Sequence, residues 1–222
     1  MNPARRPIHW QTLLSRVVVT GVVLAVWFWT QSLLGARTAP TAGVGDRLHD
    51  LTAEINSYFA AHSGAANGLL IVSSAMIDAL GLFLLGSWLF GETVRPFLGL
   101  VLLMAMRQVL QSLCSLPVPP GMIWHYPGFP SLLVTYHVAN DFFFSGHTAI
   151  AVFGAVELAR LHRKWLTSVA ILAVLFEIAT VLVLRAHYTM DVFTGILAAL
   201  WVARISERLA PVLDRRFGPR MI

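Results

Sequence analysis

Long apolar runs broken by short polar clusters set the pattern of this chain. A membrane-crossing helix needs roughly 20 mostly apolar residues. Six segments meet or approach that length: about 15–35, 68–90, 96–115, 143–160, 165–184 and 189–206. The first run, VVVTGVVLAVWFW continuing into TQSLLG, also has the look of a signal peptide. Its length and the lack of an A-x-A exit favour an uncleaved span. The segment 44–66 is too polar to span, yet Leu48, Leu51, Ile55, Tyr58 and Phe59 recur at helical spacing. It reads equally as an amphipathic helix on the outer surface or as a plain connector. The expected fold is all-α: one integral membrane domain over 1–222, a polytopic six-transmembrane-helix bundle.

Composition agrees. The chain is 57% hydrophobic and 12% charged, against about 25% charged in a soluble domain. The pI of about 10.1 raises nucleic acid as a partner, but the basic residues form no tract. They cluster between apolar runs, as topology signals do. Twelve Lys and Arg residues, from Arg5, Arg6 and Arg16 to Arg215, Arg216 and Arg220, sit at one set of span ends. Only Arg37, Arg47 and Arg185 sit at the other. The positive-inside rule then expects both termini in the cytoplasm. The basic tail after Arg204 is expected to touch the inner leaflet. A single cysteine, Cys114, leaves no intramolecular disulfide and no CxxC metal site.

Two polar clusters interrupt the pattern: Asn140-Asp141-Phe-Phe-Phe-Ser145-Gly146-His147-Thr148, and Arg185-Ala186-His187-Tyr188-Thr189-Met190-Asp191. Both open spans that begin at the outer face, so the two fall on one side at similar depth. His187 and Asp191 are four apart and share a helical face. A carboxylate there can fix the imidazole tautomer and make its other nitrogen a better nucleophile. His147 sits at a helix N-terminus, where free N–H groups favour a phosphate. Gly146 permits close backbone approach, and Ser145 and Thr148 offer hydroxyl donors. His147 is placed to protonate a leaving alcohol while His187 takes the phosphoryl group.

SGHT followed by HYTMD resembles the two C-terminal motifs of the type 2 phosphatidic acid phosphatase superfamily. The closer likeness, over roughly 105–200, is to its sphingomyelin synthase-like branch. That branch has a proline-rich element before the site, matched by Leu116-Pro117-Val118-Pro119, and an aspartate four before the serine, matched by Asp141. Plant phosphatidylcholine:diacylglycerol cholinephosphotransferases are similar, with an arginine where Arg185 stands. The resemblance implies His187 as nucleophile, Asp191 as its orienting acid and His147 as the second histidine. It places the catalytic core at about 105–200, with Tyr188, Arg185 and Asp141 among the substrate-binding residues. The KxxxxxxRP element of the phosphatase branch is absent, which favours the transferase branch.

Asp78, Arg107 and Glu177 lie within spans, where charges are costly and usually face the interior. They form either a structural ion-pair cluster or a site in which Arg107 reaches the substrate phosphate. His49, His62, His125 and His137 read as wettable loop histidines. Trp124, Tyr126 and Phe129 read as an interfacial aromatic belt rather than a cage for a quaternary ammonium.

The expected function is transfer of a phospho-head group from a phospholipid to diacylglycerol or ceramide at the extracytoplasmic face, in a cell membrane. Membrane lipids are the partners; no cofactor, metal or nucleic acid is expected, and the oligomeric state stays open. Lipid phosphate hydrolysis by the same residues is the first alternative. A non-catalytic lipid-binding scaffold is the second, and it predicts that His147 and His187 share no cavity.

Overall fold

A computed structural model describes residues 10–36, 44–136 and 142–217. Every regular element among them is helical: α1 (Trp10–Gly35), α2 (Arg47–Leu51), α3 (Ala53–Ala61), α4 (Ser63–Leu89), α5 (Arg95–Leu113), α6 (Gly146–Ala159), α7 (Lys164–Val183) and α8 (Thr189–Phe217). Four of these are long and apolar enough to cross a membrane: Trp10–Leu33, α4, α5 and α7. Helix α6 has 14 residues, about 21 Å at ~1.5 Å per residue, short of a ~30 Å hydrocarbon core. Length and composition thus give four candidate spans against the six expected.

Polar contacts show that successive long helices along the chain alternate in direction, which leaves α1 parallel to α5 and α6 parallel to α8. At one end, Arg16 of α1 donates to the carbonyls of Trp88 (2.9 Å) and Gly91 (2.9 Å) at the close of α4. Arg95 at the start of α5 pairs with Glu157 near the end of α6 at 2.9 Å. Asp214 near the end of α8 accepts from the Val94 N–H at 2.6 Å and the Thr93 hydroxyl at 2.9 Å. After Arg204, α8 continues to Phe217, and Asp214 caps the start of α5. At the opposite end, Gln31 of α1 meets Arg107 of α5, and the starts of α6 and α8 lie together.

The bundle is sided as a membrane protein should be. Large apolar side chains such as Val22, Leu82, Leu172, Leu175 and Trp201 are exposed on its outer surface, far more than water would favour. Ser73, Ser74, Arg107, Gln111 and Glu177 are buried inside. The intramembrane acids Glu177 and Asp78 bond to different groups. Glu177 accepts from Ser73 at 2.8 Å. Asp78 accepts from the Ser131 hydroxyl and the Leu132 and Leu133 N–H groups at 2.8–2.9 Å. The loop after α5 therefore folds back into the bundle, with non-helical backbone buried in protein and capped by a carboxylate.

Helix α6 is central, packing on α4, α5, α7 and α8. Gly99 lets α5 approach it: a Cβ there would stand 2.0 Å from Cζ of the fully buried Phe153. Gly99→Val is expected to wedge the helices apart at a cost of about 1–3 kcal/mol. Thermal unfolding in detergent checks this, and Phe153→Leu in the same chain should restore part of the loss.

Candidate active site

The start of α6 is built by its own sequence. Ser145 is the N-cap; its hydroxyl oxygen accepts from the Thr148 N–H at 3.3 Å and its O–H donates to the Thr148 hydroxyl at 3.0 Å. Both residues are fully buried, so the expected phosphate donors serve instead as a mutual cap that sets the direction of His147. The Ser145 N–H donates to the Asp191 carbonyl at 3.1 Å, and a Cβ on Gly195 would stand 2.8 Å from the Ser145 carbonyl oxygen. That glycine lets the starts of α6 and α8 touch.

The second cluster is formed by how α7 ends. The Arg185 N–H bonds the Leu182 carbonyl and the Ala186 N–H bonds the Val181 carbonyl, at 3.1 and 2.8 Å. These are the two bonds of a Schellman cap, with Arg185 at the left-handed position, φ 53°. A non-glycine there costs roughly 1 kcal/mol. The guanidinium offsets this by donating to the carbonyls of Pro120 (2.6 Å) and His49 (3.2 Å). The turn delivers His187 to the bundle interior. Its Nδ1 lies 2.8 Å from the Phe142 carbonyl and 3.7 Å from Asp191 Oδ2. A carbonyl only accepts, so Nδ1 carries the proton and Nε2 holds the free lone pair. Asp191 is fully buried and accepts from the Tyr188 N–H at 2.9 Å. It caps α8 and sits close enough to stabilise an imidazolium, but the tautomer is set by Phe142.

His147, His187, Arg107 and Gly146 border one cavity of about 40 Å³. Trp124 and Phe142 line it beside them, and Trp27, Ile77, Met104, Leu133 and Ile150 supply an apolar floor. His147 meets Trp124 edge-on, ring centroids 5.0 Å apart, and its Nε2 is buried without a hydrogen-bond partner. Arg107 donates to the Phe144 carbonyl at 3.1 Å and to Gln31 Oε1 at 3.2 Å. Its Nε stands 3.1 Å from where a Cβ on Gly146 would be, so glycine is needed to admit the guanidinium. A cation, a helix N-terminus and two imidazoles thus surround a small space, an arrangement suited to a phosphoryl group.

A short strap braces the turn between α7 and α8 from outside. Asp46 caps α2 and also accepts from the Thr189 N–H (2.5 Å) and hydroxyl (2.6 Å) at the start of α8. His49 Nε2 lies 3.0 Å from the His187 carbonyl oxygen, and its ring stacks on Tyr188. Asn56 donates to the Val183 carbonyl at 2.8 Å. The strap's Leu48, Leu51, Ile55 and Tyr58 face outward. Segment 44–66 is helical rather than a plain connector, but as two short helices, α2 and α3, with 63–66 opening α4, and with His49 and Asn56 against the protein.

The AtPDCT1/2 family model matches residues 45–208, about three quarters of the chain. The protein belongs to the AtPDCT1/2 family. It is 21% identical over 188 residues to phosphatidylcholine:diacylglycerol cholinephosphotransferase 1 of Arabidopsis thaliana, a match covering 85% of this chain and 60% of that protein. The chain thus spans less than two thirds of that relative's length.

Within this AtPDCT1/2-family chain, the sequence-derived residues separate by place. His147, His187, Gly146 and Arg107 meet at the cavity. Arg185 does not: its guanidinium is spent on the loop and the strap. Tyr188 is buried behind His187, its hydroxyl donating to the Pro117 carbonyl at 3.2 Å, which anchors the proline-rich element. Asp141, with Asn140 and His137, lies outside the described residues. His49 is 5% exposed rather than a wettable loop residue, and Trp124 lines the cavity rather than forming a belt. Sequence reasoning missed Asp46, His49, Gln31 and the Phe142 carbonyl. Only Asp46 left a local signal, an aspartate just before a helical run.

Two predictions follow from these contacts. Arg185→Gly relieves the strain of the left-handed turn and loses the guanidinium bonds; Arg185→Ala loses those bonds and keeps the strain, so the two variants differ by that strain. The alanine variant should unfold more easily by about 1 kcal/mol, measured by thermal melts. Burial pushes the Asp46 carboxyl up, but the Thr189 bonds outweigh it and hold it below the usual carboxylate range. Its folded-state value is below its unfolded one, so its contribution is present above about pH 4. It is lost as pH falls through the depressed value. Asp46→Asn should be less stable than wild type at neutral pH and should lose less on acidification.

Proposed function

We propose that this protein is a lipid head-group phosphotransferase working through a phosphohistidine on His187 Nε2. The observation that carries this is the single cavity bordered by His147, His187 and Arg107, with Nδ1 of His187 turned onto the Phe142 carbonyl. In the first half-reaction Nε2 attacks phosphorus, the bond from phosphorus to the glycerol oxygen breaks, and His147 gives that oxygen a proton. In the second, an acceptor hydroxyl passes its proton to His147 and attacks phosphorus, breaking the P–N bond. Arg107 neutralises the phosphoryl oxygens, and Asp191 steadies the positive charge on His187.

The name of the Arabidopsis relative supports phosphocholine as the head group and diacylglycerol as the acceptor. The apolar floor supports a lipid acceptor over water, since a dry site suppresses hydrolysis. The cavity shared by the two histidines counts against a purely scaffolding role. Basic residues gather at the end of the bundle away from the cavity: Arg16, Arg95, Arg160, Arg163 and Lys164. By the positive-inside rule this supports six spans with both termini cytoplasmic, and chemistry at the extracytoplasmic face of a cell membrane.

Purified protein incubated with head-group-labelled phosphatidylcholine and diacylglycerol should yield label in new phosphatidylcholine. His187→Ala should lower this by at least about 10³-fold, and His147→Ala by roughly 10²–10⁴-fold. Release of water-soluble phosphocholine that ignores added diacylglycerol would instead mark a hydrolase.

A further inference from the structure

Helix α1 precedes the family match, which begins at residue 45, yet it supplies part of the cavity wall. Most of α1 faces outward, as Val18, Val22 and Trp29 do. Two residues one turn apart turn inward. Gln31 holds Arg107 and also accepts from Gln108 at 3.0 Å. Trp27 borders the cavity floor. It is 9% exposed, and its indole Nε1 is buried with no hydrogen-bond partner. A buried indole N–H normally finds an acceptor, and leaving one unpaired is costly.

The depth of Trp27 says what that acceptor is. Gln31, Arg107 and His147 mark the phosphoryl level. Trp27 is four residues before Gln31, Met104 three before Arg107 and Ile150 three after His147, with α1 and α5 parallel and α6 running opposite. These three therefore form a layer one helical turn, about 5 Å, deeper in the bundle. In a glycerophospholipid held with its phosphorus at the histidines, the glycerol carbons and the acyl-ester carbonyls occupy that layer. An ester carbonyl offers only acceptor lone pairs, and an indole offers only a donor. The rest of the layer (Ile77, Met104, Leu133 and Ile150) is apolar and suits the first methylenes of a chain.

We infer that Trp27 is a substrate-binding residue whose indole N–H donates to an acyl-ester carbonyl of the lipid, setting its depth against His187. This rests on the proposed lipid-transfer reading but is tested apart from it. Diacyl phosphatidylcholine and its dialkyl ether analogue differ in the carbonyls that Trp27 would bind. Each lipid's affinity is measured on the His187→Ala protein in detergent, so turnover plays no part, alone and combined with Trp27→Phe. The expected result is a preference for the ester lipid of roughly three- to tenfold, abolished by Trp27→Phe. Trp27→His, which restores a ring N–H, should recover part of it. In the active protein the same change should raise KM for the diacyl donor more than it lowers kcat. Equal affinity for the two lipids in the Trp27-containing protein would overturn the inference. So would an ester preference that survives Trp27→Phe. Absence of transfer in the wild type beside a Trp27-dependent ester preference would sink the proposed reaction and leave this assignment standing.

Discussion

The hydrogen bond between His187 Nδ1 and the Phe142 carbonyl is the contact on which the rest of this structure converges. It joins the chain entering α6 to the chain entering α8, and it decides which imidazole nitrogen is left with a lone pair. The Schellman turn at Arg185 brings His187 to it. The Ser145–Asp191 backbone bond holds the two helix starts at one level. Asp191 tightens the first turn of α8, and Asp46 and His49 brace the same segment from outside. Little of this touches the cavity, yet all of it limits where Nε2 can be.

A buried polar group costs free energy unless it is hydrogen-bonded, and three charged residues of the interior each have partners. Asp78 is met by three groups of one loop, Glu177 by Ser73, and Arg107 by a carbonyl and an amide. The bonds to Asp78 and Glu177 do not involve Arg107, whose guanidinium borders the cavity. At the opposite end, Glu157 binds Arg95 and Arg160, and Arg160 also binds Glu207, tying α5, α6 and α8 together. One end of the bundle is thus a lock of compensated charge. The other keeps cationic and neutral donors around a small space.

The strap of α2 and α3 inverts the usual amphipathic arrangement. A surface helix of a soluble protein turns its apolar stripe to the core; here His49 and Asn56 face the protein while Leu48, Leu51 and Ile55 face outward. That is the sidedness of a helix lying at a bilayer interface. These outward apolar residues therefore sit on the element that braces His187.

The sequence alone determined what depends on local pattern. Apolar run length placed the long helices, but His187 and Asp191 share no helical face: α8 begins at Thr189, and the turn before it brings His187 to 3.7 Å from Asp191. The distribution of Lys and Arg put both polar clusters at one end of the bundle. Such features are written in consecutive residues, so they survive without knowledge of packing. Tertiary structure alone decided which side chains face the cavity. Arg185 and Tyr188 lie within two residues of His187 in the chain, yet they turn to the loop and the strap. Trp27 and Gln31, more than a hundred residues away, turn inward. Ser145 and Thr148 look like phosphate ligands in sequence and are consumed by each other as a cap. The reason is physical: a donor's partner is fixed by a few ångströms of approach between distant helices, set here by Gly99, Gly146 and Gly195. No spacing along the chain records that distance.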